Sequence, residues 1–355
     1  MVKFFSKWWN EINKFNFIII LSIITIGLIL SYSINKDFTF FNKHLLYSTS
    51  AIILMIIISS MDIKSLRRLS LVGLIIFTIL LISILLLDYE IKGSKRWIKI
   101  SNISIQPSEF IKPFFLMLSA WCLCKGIEGK KIYLNILFFS FFVLVGLIIL
   151  QPDFGMTFLL SASFFCQLFI AGLSILLVTV FFVMLLALSV TSYYVFDHVN
   201  KRINDFFDPS ADRYQIDLSL KAFKSGGFFG KGPGQGVLKE KIPDANTDFI
   251  FAVAGEELGF IFCSLIILLI LILIIRFLLQ LLKYKEPYLI VAIAGLICSY
   301  GLQSLINIFS TLGIIPTKGM TLPFISYGGS SMISSSILFG FLLSLTKQKK
   351  WKVII

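Results

Sequence analysis

Charged side chains are scarce in this 355-residue chain. Only 14% of its residues are Asp, Glu, Lys or Arg, whereas 57% are hydrophobic and the mean hydropathy is +0.92. A soluble domain has about a quarter charged residues, so this shortage excludes a protein whose main solvent is water. Cysteine and histidine are also few, at five and two residues. The cysteines lie in apolar segments without C-x-x-C spacing, which argues against a disulfide framework or a zinc site.

Acidic residues are the scarcer charged type, and 19 of them against 32 Lys and Arg give a net charge of +13. The basic residues form no single arm or stripe, which argues against nucleic acid as a partner. They recur at every second loop between apolar blocks, as the positive-inside rule of membrane proteins describes. The pattern predicts that both termini lie in the cytoplasm. The internal basic groups are Lys64, Arg67 and Arg68, then Lys125, Lys130 and Lys131, then Lys283 and Lys285.

Long apolar blocks fill most of the chain. Hydrocarbon does not tolerate unpaired backbone, and the blocks are too long for barrel strands, so they must be helices. We therefore predict an all-α, polytopic integral membrane protein of about ten transmembrane helices, forming a single membrane domain over residues 1–355. The predicted spans are 17–34, 44–61, 69–88, 109–124, 133–150, 155–171, 173–195, 248–274, 288–309 and 330–346.

One long segment, about 196–247, connects the seventh and eighth spans on the side opposite the basic loops. Loops longer than about 15 residues are usually functional or disordered. Within it, residues 216–223 are expected to form a short amphipathic helix on the membrane surface. The glycine-rich stretch 226–236 lacks the G-x-x-x-x-G-K-[ST] pattern and follows no strand, so a pliant loop is favoured over a nucleotide site. The polar segments 93–109 and 314–331 lie on the same side and predict re-entrant or surface-hugging backbone.

Ionisable residues near the spans are candidate functional groups because burying charge in a membrane is costly. Glu109 and Lys112 share a helix face, where they form either a functional pair or an ion pair that only fixes packing. Asp153 follows a proline before the sixth span and is expected to cap that helix. Lys318 lies in a Gly/Pro-flanked outer segment. It is either an ordinary exposed lysine or, beside a cavity, a point charge for phosphate.

Asp248 lies where the long loop enters the eighth span. A carboxylate at a helix N-terminus is typical of an ordinary cap, and Asn246 or Thr247 could also cap this helix. Glu256 and Glu257 follow eight and nine residues later and point in different directions from Asp248. At most one of these glutamates is therefore expected to share its cavity.

Five motifs occur in order along the chain. They are SKRWI at 94–98, QPSEFIKP at 106–113, LQPDFG at 150–155, NTDFIFAVAGEELG at 246–259 and LPFISYGGSS at 322–331. Together they resemble the SEDS glycosyltransferases, over the length from the first span to the tenth. The run PTKGMTLPFISYGGSS, which contains Lys318, and the run SLKAFKSGGFFGKGPGQG are more similar to the division-type FtsW branch than to the elongation-type RodA branch. The chain departs from the family at Asn246, where members place histidine.

The resemblance implies a peptidoglycan glycosyltransferase that polymerises lipid II during septal wall synthesis in cell division. Lipid II is an undecaprenyl-pyrophosphate-linked disaccharide-peptide. Asp248 matches the essential acid of the family, and sugar transfer needs a base that takes the proton of the acceptor hydroxyl. No tightly bound cofactor or dedicated metal site is expected, although Mg²⁺ or Mn²⁺ would suit the pyrophosphate. The expected substrate contacts are Arg96, Lys112 and Lys318 at the pyrophosphates, Glu109 orienting Lys112, and Asp153 and Ser326.

The resemblance also implies partners and a place in the cell. These are a class B penicillin-binding transpeptidase, other divisome membrane proteins and membrane lipid, at the septum of the bacterial cytoplasmic (inner) membrane. Two alternatives stay open, a transporter that flips lipid II and an elongation-type polymerase. A flippase should carry polar residues through the full depth of the membrane, whereas this chain gathers its polar segments at one face.

Overall fold

The computed structural model describes residues 2–34, 38–86, 96–100, 103–173, 175–195, 200, 204 and 214–347. Within this part of the chain, helices cover almost every apolar block. Most of the first part of the long loop, 196–199, 201–203 and 205–213, lies outside the described residues. The helices are α1 (Val2–Glu11), α2 (Lys14–Ile34), α3 (Phe38–Ser60), α4 (Ile63–Leu86), α5 (Pro107–Ile127), α6 (Lys131–Leu150), α7 (Phe154–Ile170), α8 (Ile175–Val195), α9 (Tyr214–Gly226), α10 (Ile250–Leu281), α11 (Pro287–Thr311) and α12 (Gly329–Leu345).

Each predicted span coincides with one helix. Seven described helices are long and apolar enough to cross a membrane, namely α2 to α6, α10 and α11. Two further apolar helices, α7 and α12, have 17 residues each. The predicted all-α membrane fold is confirmed, whereas the number of ten crossings stays a prediction.

Two helices form the centre of the bundle. Of the 18 residues in the most apolar stretch of each helix, 72% are buried in α5 and 78% in α11, against 22% in α4 and 28% in α6. α5 contacts α4, α6, α7, α11 and α12. Large apolar side chains on the outer helices remain exposed, as Ile79 and Phe139 do. In hydrocarbon this exposure costs nothing, so the outer helices need no polar face.

The long helix α10 is broken at Gly259, where φ is 77° and ψ is −176°. The glycine-rich loop fills this break. Phe260 N–H donates to Gly227 O at 2.9 Å, and Lys231 N–H donates to Glu256 O at 3.0 Å. A Cβ at Gly259 would lie 2.3 Å from a backbone nitrogen of the facing loop. The predicted span 248–274 is therefore two half-helices whose open backbone groups are paired with the loop.

The two polar segments near 93–109 and 314–331 differ in how far the sequence predicted their structure. Two short strands, β1 (Ile98–Ile100) and β2 (Ile103–Ile105), pair antiparallel with Ile98 opposite Ile105, which the sequence did not predict. The segment 312–328 turns back into the bundle, as its glycines and prolines predicted. Phe324 and Ile325 within it are almost fully buried. A Cβ at Gly27 of α2 would lie 2.7 Å from Ile325 O, so this glycine lets the re-entrant backbone approach.

The predicted amphipathic helix at 216–223 lies within α9. It packs against α10 and α11. The Ser219 hydroxyl donates to Thr311 O at 2.6 Å, and Ala222 is fully buried. α9 is thus fastened to α10 and to the C-terminal end of α11.

Candidate active site

A small pocket opens where α9, the entry to α10, the C-terminal end of α11 and the re-entrant segment meet. Its volume is about 80 Å³. Sites for drug-sized ligands have roughly 300–1,000 Å³, so this pocket is too small to enclose a ligand of that size. Its polar lining includes Gln215, Asp244, Asp248, Asn307, Thr317 and Lys318.

Asp248 is half-buried, and hydrogen bonds of its backbone N–H and carbonyl groups fix its position. Its N–H donates to Asp244 O at 3.1 Å. Its carbonyl oxygen accepts from Asn307 Nδ2 at 2.8 Å, and the same nitrogen donates to Met320 O at 2.6 Å. A Cβ built on Gly319 would lie 3.4 Å from Asp248 Oδ2. Asn307 thus ties the entry to α10 and the re-entrant segment together around the carboxylate.

The prediction of a side-chain cap at the start of α10 is wrong. α10 begins at Ile250 with Phe249 as its N-cap residue, and no side chain caps it. Thr247 Oγ1 donates backwards to Asp244 O at 3.2 Å, and Asn246 O accepts from the N–H of Tyr327 at 2.9 Å. Because the chain is still in a turn at these residues, their side chains do not reach the first amides of the helix.

Lys318 places a cation in the same pocket. Its Nζ lies 5.4 Å from the centroid of the Phe158 ring, within the range of a cation–π contact. Burial lowers the pKa of Lys318, and the charge of Asp153 partly offsets this by raising it. The ammonium group is therefore short of hydration and suited to an anionic ligand.

Asp153 caps α7 as predicted and joins Arg96 to the site. Asp153 Oδ1 accepts from Met156 N at 3.3 Å, and Oδ2 accepts from Gln106 Nε2 at 3.2 Å. The Arg96 guanidinium lies 3.8 Å from Asp153 Oδ1 and donates to Gln151 O at 3.1 Å. Arg96 is therefore anchored on the turn before α7, next to the carboxylate that faces Lys318.

Glu109 and Lys112 form a buried ion pair at 2.7 Å. The Lys112 ammonium also donates to Gln303 Oε1 at 2.6 Å. Gln303 Nε2 in turn donates to Thr321 O at 3.2 Å in the re-entrant segment. Neither member of the pair lines the Asp248 pocket. The predicted contact between them is present, and its link to the site runs through Gln303.

Ser326 lies behind the pocket. Its hydroxyl is buried, donates to Thr247 O at 2.5 Å and accepts from Leu322 N at 2.8 Å. This places Ser326 as a brace between the re-entrant turn and the residue before Asp248. Its expected contact with substrate stays a prediction.

Glu256 and Glu257 hold the glycine-rich loop, and neither lines the Asp248 pocket. Glu256 accepts hydrogen bonds from the Lys231 ammonium and from the backbone N–H groups of residues 237–239. Glu257 pairs with Lys239 Nζ at 2.6 Å and accepts from the Ser33 hydroxyl. Their charges therefore stabilise the loop that closes the break in α10.

Five polar residues of the pocket were missed from the sequence, namely Gln215, Asp244, Asn307, Ser310 and Thr317. Asp244 follows a proline in a segment whose sequence is typical of an ordinary turn, so it gave no signal of a functional role. Asn307 had a usable signal, because Ser299, Gln303, Asn307 and Ser310 recur every three or four residues in α11. That spacing places a polar stripe on one face of an otherwise apolar helix.

No group of three or more His, Cys, Asp or Glu that could hold a metal ion occurs in the described part of the chain. Asp244 and Asp248 supply two carboxylates to one pocket. A divalent cation bound there would need further oxygen ligands, such as those of a phosphate.

The fold and the pocket define a multi-pass membrane protein that gathers ionisable groups at one end of its helix bundle. The chain belongs to the FtsW/RodA/SpoVE family of cell cycle proteins, which matches residues 9–351. The SEDS resemblance is thereby confirmed. The chain is 35% identical to the "Probable peptidoglycan glycosyltransferase FtsW" of Caulobacter vibrioides over 96% of its own length and 91% of that protein. It is 37% identical to the protein of the same name from Buchnera aphidicola, over 79% and 73% of the two chains.

Solved structures share the fold. A chain from a peptidoglycan synthase complex that coordinates polymerization and crosslinking superposes with a TM-score of 0.80 at 24% identity, covering 95% of this chain and 98% of that chain. The rod shape determining protein RodA of Thermus thermophilus superposes with a TM-score of 0.72 at 23% identity, covering 95% and 97%. At this identity the similarity establishes the common architecture.

Proposed function

We propose that this chain is a peptidoglycan glycosyltransferase that polymerises lipid II during septal wall synthesis. Sequence relatives that match most of its length carry the name of this enzyme. The observation that carries the proposal is the placement of Asp248 and Lys318 in one pocket at the outer end of the bundle. Transfer from a sugar pyrophosphate requires a carboxylate that acts as a base and a cation that stabilises the leaving group.

In the proposed reaction, Asp248 acts as general base. Its carboxylate accepts the proton of the acceptor 4-hydroxyl while that oxygen forms a bond to the anomeric carbon of the donor. The bond from this carbon to the pyrophosphate breaks, and the leaving oxygen takes the electron pair. A single displacement inverts the anomeric centre. Because pyrophosphate is already a good leaving group, no second carboxylate is needed as an acid.

Cations near the pocket stabilise the departing pyrophosphate in this proposal. Lys318 is the nearest, since it lines the pocket itself. Arg96 is close to it through Asp153, and Lys112 is linked through Gln303. Glu109 orients Lys112 by their 2.7 Å contact. We propose no tightly bound cofactor. A Mg²⁺ or Mn²⁺ ion arriving with the substrate would find hard oxygen ligands in Asp244 and the phosphates.

The proposal includes partners and a location. The protein acts in the bacterial inner membrane at the septum, with both termini in the cytoplasm. A class B penicillin-binding transpeptidase crosslinks the new strand beside it, among other divisome proteins. The positive-inside pattern supports this orientation, because the basic loops lie at the end of the bundle opposite Asp248.

The test is polymerisation of purified lipid II by the wild type with its cognate transpeptidase, beside Asp248→Asn and Asp248→Ala. Glycan from the wild type and a loss of about 10²-fold or more in both variants is expected for a general base. Melting curves check that the variants are folded. Normal polymerisation by both variants would remove Asp248 from the reaction. A wild type that only moves lipid II across liposomes would establish the flippase instead.

A further inference from the structure

Arg67, Trp121 and Tyr288 meet at the end of the bundle opposite the Asp248 pocket. Arg67 lies near the start of α4, Trp121 near the end of α5 and Tyr288 in the first turn of α11. The 19 residues from Tyr288 to Asn307 rise about 28 Å along α11. This is roughly the thickness of the hydrocarbon core. The cluster therefore lies at the other membrane surface, among the basic loops.

The cluster contains polar groups that lack partners. The Arg67 guanidinium carbon lies 5.7 Å from the ring centroids of both Trp121 and Tyr288. Within the described part of the chain, Arg67 has no hydrogen bond or ion pair. The Trp121 indole nitrogen and the Tyr288 hydroxyl are buried there and also have no hydrogen-bond partner. Leaving buried donors unsatisfied is costly, so the two unpaired donors of Trp121 and Tyr288, beside the unpaired Arg67 guanidinium, indicate a missing acceptor.

No carboxylate of the described residues forms an ion pair with Arg67, and this includes Glu286, the residue before α11. Glu128 pairs with Lys125 at 2.5 Å, and Asp62 accepts from the Ser65 hydroxyl at 2.5 Å. Exposed Arg68 adds further positive charge at this end of α4. The missing acceptor is therefore expected to be an anion that comes from outside the chain. Guanidinium groups bind phosphate oxygens through a matching pair of donors.

We propose that Arg67, Trp121 and Tyr288 form a binding site for the headgroup phosphate of an anionic phospholipid. A lipid fits better than a soluble phosphate because the next turn of α4 presents apolar surface to hydrocarbon. There, Leu71 and Val72 are 51% and 54% exposed. Basic pockets between transmembrane helices at the cytoplasmic face bind such headgroups. The site is separate from the proposed catalytic pocket and does not depend on it.

The test measures binding of phosphatidylglycerol to the detergent-purified full chain by native mass spectrometry. The variants are Arg67→Gln and Tyr288→Phe, with Arg68→Gln as a control that removes the same charge from the adjacent, exposed position. We expect about tenfold weaker binding for Arg67→Gln, since a charge-assisted hydrogen bond is lost. Tyr288→Phe keeps the ring and should weaken binding less, about threefold. Arg68→Gln should bind like the wild type.

Two results would overturn the proposal. Equal binding by Arg67→Gln and Arg68→Gln would show that only general positive charge matters. Displacement of the lipid by inorganic phosphate at millimolar concentration would identify a soluble anion as the ligand. Melting curves of both site variants accompany the binding data, and Tyr288→Phe tests the site even where Arg67→Gln folds poorly.

Discussion

Replacing Glu256 by glutamine should loosen the glycine-rich loop from α10. Glu256 is fully buried, and its carboxylate accepts the backbone N–H groups of Val237, Leu238 and Lys239 at 2.9 to 3.1 Å. The Lys231 ammonium lies 3.1 Å from Oε1. Glutamine has the same shape, but it exchanges one acceptor oxygen for an NH₂ group and removes the charge. No orientation of the amide can satisfy all of these donors.

The loss of folding free energy can be estimated from the hydrogen bonds that Oε1 and Oε2 of Glu256 accept. If the amide oxygen takes the place of Oε1, the Lys239 N–H that was bonded to Oε2 faces another donor. A hydrogen bond to a charged group contributes about 1.5–3 kcal/mol, and the bonds that remain are weakened when the acceptor becomes neutral. We expect a loss of about 2–4 kcal/mol in the free energy of unfolding. With an unfolding entropy of about 2.1 cal/mol/K per residue, each kcal/mol lowers the Tm of a 355-residue chain by roughly 1.3 °C, so a fall of about 3–5 °C is expected.

Thermal melting in detergent, followed by lipid II polymerisation, measures the effect. Asp217→Asn is the matched control, because it removes one negative charge from the first turn of α9, where the side chain is exposed. That change should cost only a few tenths of a kcal/mol. The rate of Glu256→Gln should fall as well, since the loop braces the half-helix that follows Asp248. Equal melting temperatures for Glu256→Gln and the wild type would refute this account of the loop.

Three further predictions concern the pocket and the residues that support it. Lys318→Arg should move the alkaline limb of the polymerisation rate to higher pH, because burial lowers the pKa of Lys318 whereas arginine stays protonated. Asp153→Asn should move that limb to lower pH, because the Asp153 charge raises the pKa of Lys318. Initial rates from neutral to alkaline pH measure both shifts. Unchanged pH profiles would contradict both predictions. Ser326→Ala should destabilise the protein by about 1–3 kcal/mol, since it removes the acceptor of the buried Leu322 N–H and the donor to the partly buried Thr247 carbonyl. Melting curves test this against Ser264→Ala, which removes an exposed hydroxyl and should have little effect.

The spans could be predicted from the sequence because hydropathy and bilayer thickness are local properties. The fourth predicted span, 109–124, lies inside α5 (Pro107–Ile127) for this reason. The break at Gly259 could not be predicted in the same way. The glycine lies within an apolar run, and its non-helical conformation depends on backbone donors from Lys231 and acceptors from Gly227. Such pairing between distant segments leaves no periodic signal in either one.

The candidate site was predicted in part. Asp248 and Lys318 were recognisable because ionisable groups are conspicuous beside apolar spans. Their meeting in one pocket depends on the re-entrant path of 312–328, which glycines and prolines indicated without fixing where it leads. Asn307 carries no charge and drew no notice, although its amide joins the two pocket segments. The pattern of neutral polar residues in α11 was the available signal.

The polar residues of this protein divide into two groups by what they contact. Glu256, Asn307 and Ser326 bind backbone groups of another segment: Asn307 and Ser326 join the segments around the pocket, and Glu256 holds the loop at the break in α10. Asp248 and Lys318 present their charged ends to the pocket itself. Hydrocarbon offers no substitute partners for unpaired backbone, so changes in the first group must lower stability and activity together. Changes at Asp248 and Lys318 should lower the rate while leaving the melting temperature near that of the wild type, and this contrast separates assembly of the site from its chemistry.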